Sequence, residues 1–168
     1  LAGGPDHQDT FVFAPGGALQ GGIVGGAGGF DTLEVQGDAF ATLTFTATGP
    51  DSGTVDAGGN VIAYTGLEPI LANAGTATDI VFNLTDGADQ AILEDVGGLR
   101  LRSANGTFEL TTFTAPSGSL TINAGGGSDS VTVGTTLNLG AAHLTIAAET
   151  ITVASGVTLT AGNITFTA

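Results

Sequence analysis

Four aspartates in glycine-rich turns carry the chain's clearest chemical potential. Asp31 lies in Gly26-Ala27-Gly28-Gly29-Phe30-Asp31-Thr32-Leu33-Glu34, and Asp129 in Ala124-Gly125-Gly126-Gly127-Ser128-Asp129-Ser130-Val131-Thr132. Shorter versions surround Asp9, in Gly3-Gly4-Pro5-Asp6-His7-Gln8-Asp9, and Asp89, in Gly87-Ala88-Asp89-Gln90. Glycine lets turn carbonyls come close to a cation, and aspartate supplies a charged oxygen, so the chemistry this pattern suits is calcium ligation. The plainer reading is that Gly-x-Asp marks a turn before a strand. Sixteen acidic residues against two basic ones make cations natural company, and the same charge also keeps a glycine-rich chain soluble.

Other chemistries lack their residues. There is no cysteine, so thiolate metal sites and thiol nucleophiles are absent. His7 and His143 have no second histidine at ligand spacing. Polysaccharide-cleaving sites need converging carboxylates, often with a cationic side chain to stabilise developing charge. Here there is no lysine, and Arg100 and Arg102 flank Leu101 on one face, where they balance Glu94, Asp95 or Glu109. No enzyme is expected. A net charge of -14 gives no footprint for nucleic acid or anionic lipid, and no apolar run approaches the roughly 20 residues of a membrane helix.

Strands must position these turns. With 29 glycines and many Thr, Val and Ile, the composition disfavours helix and suits pleated surfaces. Towards the C-terminus, apolar-polar-apolar triplets recur: Val131-Thr132-Val133, Leu137-Asn138-Leu139, Leu144-Thr145-Ile146, Ile151-Thr152-Val153, Val157-Thr158-Leu159 and Ile164-Thr165-Phe166. Taking every third triplet aligns Val131 with Ile151, Leu137 with Val157 and Leu144 with Ile164, a register of about 20 residues. The predicted fold is therefore all-β, a parallel β-helix (β-solenoid) with about 20 residues and three short strands per coil. Its outward columns set Thr132 over Thr152, Asn138 over Thr158 and Thr145 over Thr165.

Upstream, starts at Ile80, Leu99 and Leu120 keep a near-20 spacing, and Thr48 to Asn60 and Thr85 to Gly98 read as long projecting corners. A β-sandwich over residues 36–120 is the alternative for that stretch. Residues 1–168 are expected to form a single solenoid segment of a longer protein, with acidic, less regular coils over 1–130 and regular Thr-rich coils over 131–168.

The glycine-aspartate turns resemble the nonapeptide Gly-Gly-x-Gly-x-Asp-x-hydrophobic-x of the repeats-in-toxin family. That resemblance implies calcium bound by Asp31 and Asp129, with Asp9 and Asp89 as further ligands. The run from Leu137 to Ala168 resembles the rods of filamentous-haemagglutinin-type adhesins. Together these imply an extracellular or bacterial cell-surface protein, a structural rod or filament subunit that self-associates end to end or continues into more chain. Two alternatives stand beside it: a calcium-binding module, and a surface that recognises glycan or ice through its threonine ladders.

Overall fold

The computed structural model describes every residue except Asp38 and Ala74. Among the described residues there is no helix, and the alternating apolar and polar residues form eighteen strands. In chain order these are β1 (Thr10–Phe13), β2 (Gly22–Val24), β3 (Thr32–Val35), β4 (Phe40–Gly49), β5 (Ser52–Ala57), β6 (Asn60–Thr65), β7 (Ile70–Ala72), β8 (Ala77–Asn83) and β9 (Gln90–Asp95). They continue with β10 (Leu99–Ser103), β11 (Thr111–Phe113), β12 (Ser119–Asn123), β13 (Ser130–Val133), β14 (Leu137–Asn138), β15 (His143–Ala147), β16 (Thr150–Val153), β17 (Leu159–Thr160) and β18 (Asn163–Thr167).

Two eight-stranded mixed sheets hold most of them. Sheet I has the order β1-β3-β7-β11-β10-β9-β13-β16 and sheet II the order β18-β15-β12-β8-β4-β5-β6-β2, while β14 and β17 pair separately. The chain passes back and forth between the two sheets, and neighbours reached this way are parallel. Val131 lies against Ile151 and Leu144 against Ile164, as the triplet spacing predicts. Leu137 lies against Leu159 rather than Val157. The reason is local: the Val157 N–H is drawn into a turn, donating to Ala154 O at 3.1 Å.

Upstream, the near-20 spacing does not hold. Ile80 pairs directly with Leu120, whereas Leu99 belongs to an antiparallel hairpin of the other sheet. The expected corners are also strands. Thr48 to Asn60 falls within an antiparallel meander of β4, β5 and β6, and Thr85 to Gly98 contains β9, the first strand of a second meander with β10 and β11. Gly58 and Gly59, both at positive φ, make the two-residue loop of the first meander, with Ala57 facing Asn60 across it.

Both sheets contribute to one continuous core. Phe45 stacks on Phe82 of the neighbouring strand with ring centroids 4.9 Å apart, and Phe82 meets Phe113 of the opposite sheet at 5.2 Å. Each such buried side chain contributes about 1.5–3 kcal/mol. Polar residues alternate outward, and sheet II aligns Thr121, Thr145 and Thr165 on its outer face.

Candidate functional site

The glycine-aspartate turns stack on one another at the entrance to sheet I, and that stacking explains their glycines. Gly29 has φ +96°, and a Cβ there would lie 2.1 Å from His7 O. Gly127 repeats the arrangement with φ +124° and 2.6 Å to Gly87 O. Only glycine adopts this backbone without strain and leaves room for the turn beneath.

The Asp31 and Asp129 carboxylates serve the main chain of the preceding turn, and the Asp9 and Asp89 carboxylates that of their own turn. Asp9 N–H donates to Asp31 Oδ1 at 2.8 Å, and Asp89 N–H to Asp129 Oδ1 at 2.8 Å. Asp129 N–H donates in turn to Glu149 Oε2 at 2.8 Å. Asp9 Oδ2 accepts from Gly4 N–H at 2.7 Å, and Asp89 accepts from Thr85 N–H at 2.9 Å and from the hydroxyls of Thr85 and Thr107. Asp31, Asp89 and Asp129 are buried. Such charge-assisted bonds stabilise the turns in the way a carboxylate caps a helix start.

The four predicted aspartates thus fall into two separate groups, Asp9 with Asp31 and Asp89 with Asp129. Among the described residues no three His, Cys, Asp or Glu side chains come together at metal-binding geometry. One oxygen stands apart: Asp129 Oδ2 is buried with no hydrogen-bond partner. Burial pushes the Asp129 carboxyl up, against the bond from Asp89 N–H and with the Glu149 and Asp89 carboxylates adding to the rise. Glu149 is held down, first by the bond from Asp129 N–H.

Sheet register reveals acids that the motif search misses. Asp9, Asp31, Glu68 and Glu109 each stand two residues before the aligned positions Phe11, Leu33, Ile70 and Thr111. Asp89, Asp129 and Glu149 stand two before Ala91, Val131 and Ile151. The seven carboxylates therefore form two rows along one margin of sheet I, four from Asp9 to Glu109 and three from Asp89 to Glu149, with neighbours in each row about 4.8 Å apart and the antiparallel strand β10 between the rows. Glu109 and Glu149 lack a glycine two residues before the acid, whereas Glu68 follows Gly66 at that spacing but carries glutamate where the motif has aspartate. Within the first row, burial pushes the half-buried Glu109 carboxyl up to about 7 against a bond from Leu110 N–H, with Glu68 and Asp51 adding to the rise. Burial, with Glu109 and Asp51 nearby, also pushes the Tyr64 phenol well above its ordinary range.

The two arginines do share a face, and both pair with Glu94 rather than with Asp95 or Glu109. His143 opens β15 instead of lying in a corner, and it is exposed. No family model matches the chain, and no curated protein or solved structure shows significant similarity to it.

Proposed function

We propose that this chain is a non-catalytic structural segment of an extracellular or cell-surface repetitive protein, a β-solenoid in which each passage between the sheets adds a rung. The three-strand coil of about 20 residues belongs to the part beyond β12, where β13, β14 and β15 are followed by β16, β17 and β18 in the same order. The observation that carries the reading is the state of the last rung. Ile164 and Phe166 align with the fully buried Leu144 and Ile146, and Val153 with the fully buried Val133, yet all three are about two-fifths exposed. A core face left open beside the unpaired edges of β16 and β18 suits stacking of a further rung, from a second copy or from more of the same chain.

Light scattering and electron microscopy of the purified chain test this. End-to-end assemblies that grow with concentration are expected, and a double I164S, F166S variant shortens them without altering the fold. A chain that stays strictly monomeric at high concentration overturns the proposal.

Calcium binding is the second reading, favoured by the unpartnered Asp129 Oδ2 beside Glu149. A cation bound only to the folded chain raises its melting temperature by mass action. Equal melting temperatures in chelator and in millimolar calcium would remove it.

A further inference from the structure

Arg100 and Arg102 are the only lysine or arginine residues in the chain. Both engage one atom, Arg100 Nε donating to Glu94 Oε1 at 2.8 Å and Arg102 Nε donating to the same oxygen at 2.6 Å. Glu94 is buried, while the arginine side chains remain 32% and 37% exposed. One carboxylate against two guanidinium groups leaves this cluster with a surplus positive charge in a chain whose formal net charge is -14. Contact through Nε also leaves the Nη nitrogens, which hold most of each guanidinium's N–H donors, for another acceptor.

Strand β11 runs beside β10 with Thr112 directly opposite Arg100. Thr112 Oγ1 is buried and has no hydrogen-bond partner, an uncommon state for a hydroxyl in a folded protein. Between these residues opens a cleft of about 220 Å³, lined by Asn73, Val96, Leu99, Arg100, Thr112 and Phe113 among others. The Asp95 carboxylate, next to Glu94 in sequence, accepts the N–H groups of Gly97 and Gly98 on Oδ1 at 3.2 and 3.0 Å.

We propose that this cleft binds a small carboxylate ligand, with the Arg100 guanidinium as its charged anchor and the Thr112 hydroxyl as a second donor. A planar carboxylate accepts two parallel N–H bonds from a guanidinium, and its single charge matches the single surplus charge of the cluster. A polyanion is repelled by the acidic remainder of the chain. Val96, about half exposed, gives the carbon skeleton an apolar surface at the edge of the cleft, as small-ligand sites commonly do. Arg102 acts through Glu94 as a positioning residue: by sharing Oε1 it keeps the carboxylate fixed and the Nη edge of Arg100 free.

Nuclear magnetic resonance of the intact chain tests the site, with D-glucuronate as probe, D-glucose as its uncharged counterpart and sodium sulfate as an inorganic anion at matched ionic strength. Glucuronate is expected to give saturable shifts at the Arg100 Nε–H and the Thr112 amide, with Kd on the order of 1 mM. Glucose gives none, and sulfate does not saturate over the same range. Arg100→Gln weakens glucuronate binding at least about tenfold, and Arg102→Gln weakens it less. Thr112→Val removes a hydroxyl that has no partner to lose, so it weakens binding several-fold without lowering the melting temperature, and it carries the test if Arg100→Gln does not fold. Absence of saturable shifts with glucuronate, or equal shifts with glucose, overturns the proposal. Sulfate binding as tightly as glucuronate overturns the carboxylate assignment, and wild-type affinity in Thr112→Val overturns the second donor.

Discussion

Replacing Glu109 by glutamine removes a titrating carboxyl while keeping an oxygen for the bond from Leu110 N–H, which is 2.8 Å long in the native chain. The native carboxyl is pushed from 4.5 up to about 7, mainly by burial. The folded chain therefore holds this proton more tightly than the unfolded chain does. The stability that results is fully present below about pH 4.5 and is lost as the pH rises through about 7. Each unit of displacement corresponds to about 1.4 kcal/mol, so the full displacement is worth about 3 kcal/mol. Glu109 is only half buried, and solvent screening reduces this to about 1–2 kcal/mol. Glutamine imitates the neutral acid at every pH. Urea unfolding of both proteins at about pH 4 and about pH 8 is the assay, and comparing the two cancels the titration of every group they share. At the lower pH the two stabilities agree within about 0.5 kcal/mol, and at the higher pH the variant is more stable by about 1–2 kcal/mol. The same difference at both pH values, or a more stable native chain at the higher one, refutes the upward displacement of the Glu109 carboxyl by burial.

Three further perturbations probe the turns and the core. Asp129→Ala leaves the buried Asp89 N–H without its acceptor and costs about 1–3 kcal/mol in urea unfolding. Asp129→Asn keeps that acceptor and turns an amide toward Glu149, so it costs at least about 1 kcal/mol less than the alanine variant. Gly127→Ala must shift the Gly87 carbonyl and holds alanine at φ +124°, so a loss of about 1–3 kcal/mol by thermal unfolding is expected. Phe113→Ala empties the contact with Phe82 between the two sheets and lowers stability by about 3–5 kcal/mol, read by urea unfolding.

The regular triplets were legible because a parallel rung demands alternation and a constant interval at once. Val131 and Ile151, or Leu144 and Ile164, satisfy both. Upstream, alternation alone fixes which residues point inward but not which strand lies beside which. Leu99-Arg100-Leu101 has the pattern of a parallel rung, yet it folds back on β9 through the short loop Val96-Gly97-Gly98. The hairpin signal was present in Gly58-Gly59, between residues with strand propensity on either side. Of the candidate site, the aspartates were visible through their glycines. Glu68 and Glu109 were hidden, because their places beside the aspartates depend on pairings 37 and 41 residues apart that no local motif records: Leu33 with Ile70, and Ile70 with Thr111. The use of the carboxylates was hidden as well, since a backbone N–H donor leaves no mark on the sequence.

The two meanders make chain order and rung order diverge, with a consequence for vectorial growth. When the amino-terminal end emerges first, β3, β12, β15 and β18 each find a parallel neighbour already laid down. Strands β4 and β9 do not. Leu43 waits 37 residues for Ile80, and Ala91 waits 40 residues for Val131. During that interval each is held from one side only, by the antiparallel strand that follows it at short sequence separation. Such local pairs close quickly. Nascent structure is therefore laid down in instalments of about 40 residues, each seeded by a hairpin, before growth settles into single rungs beyond β12.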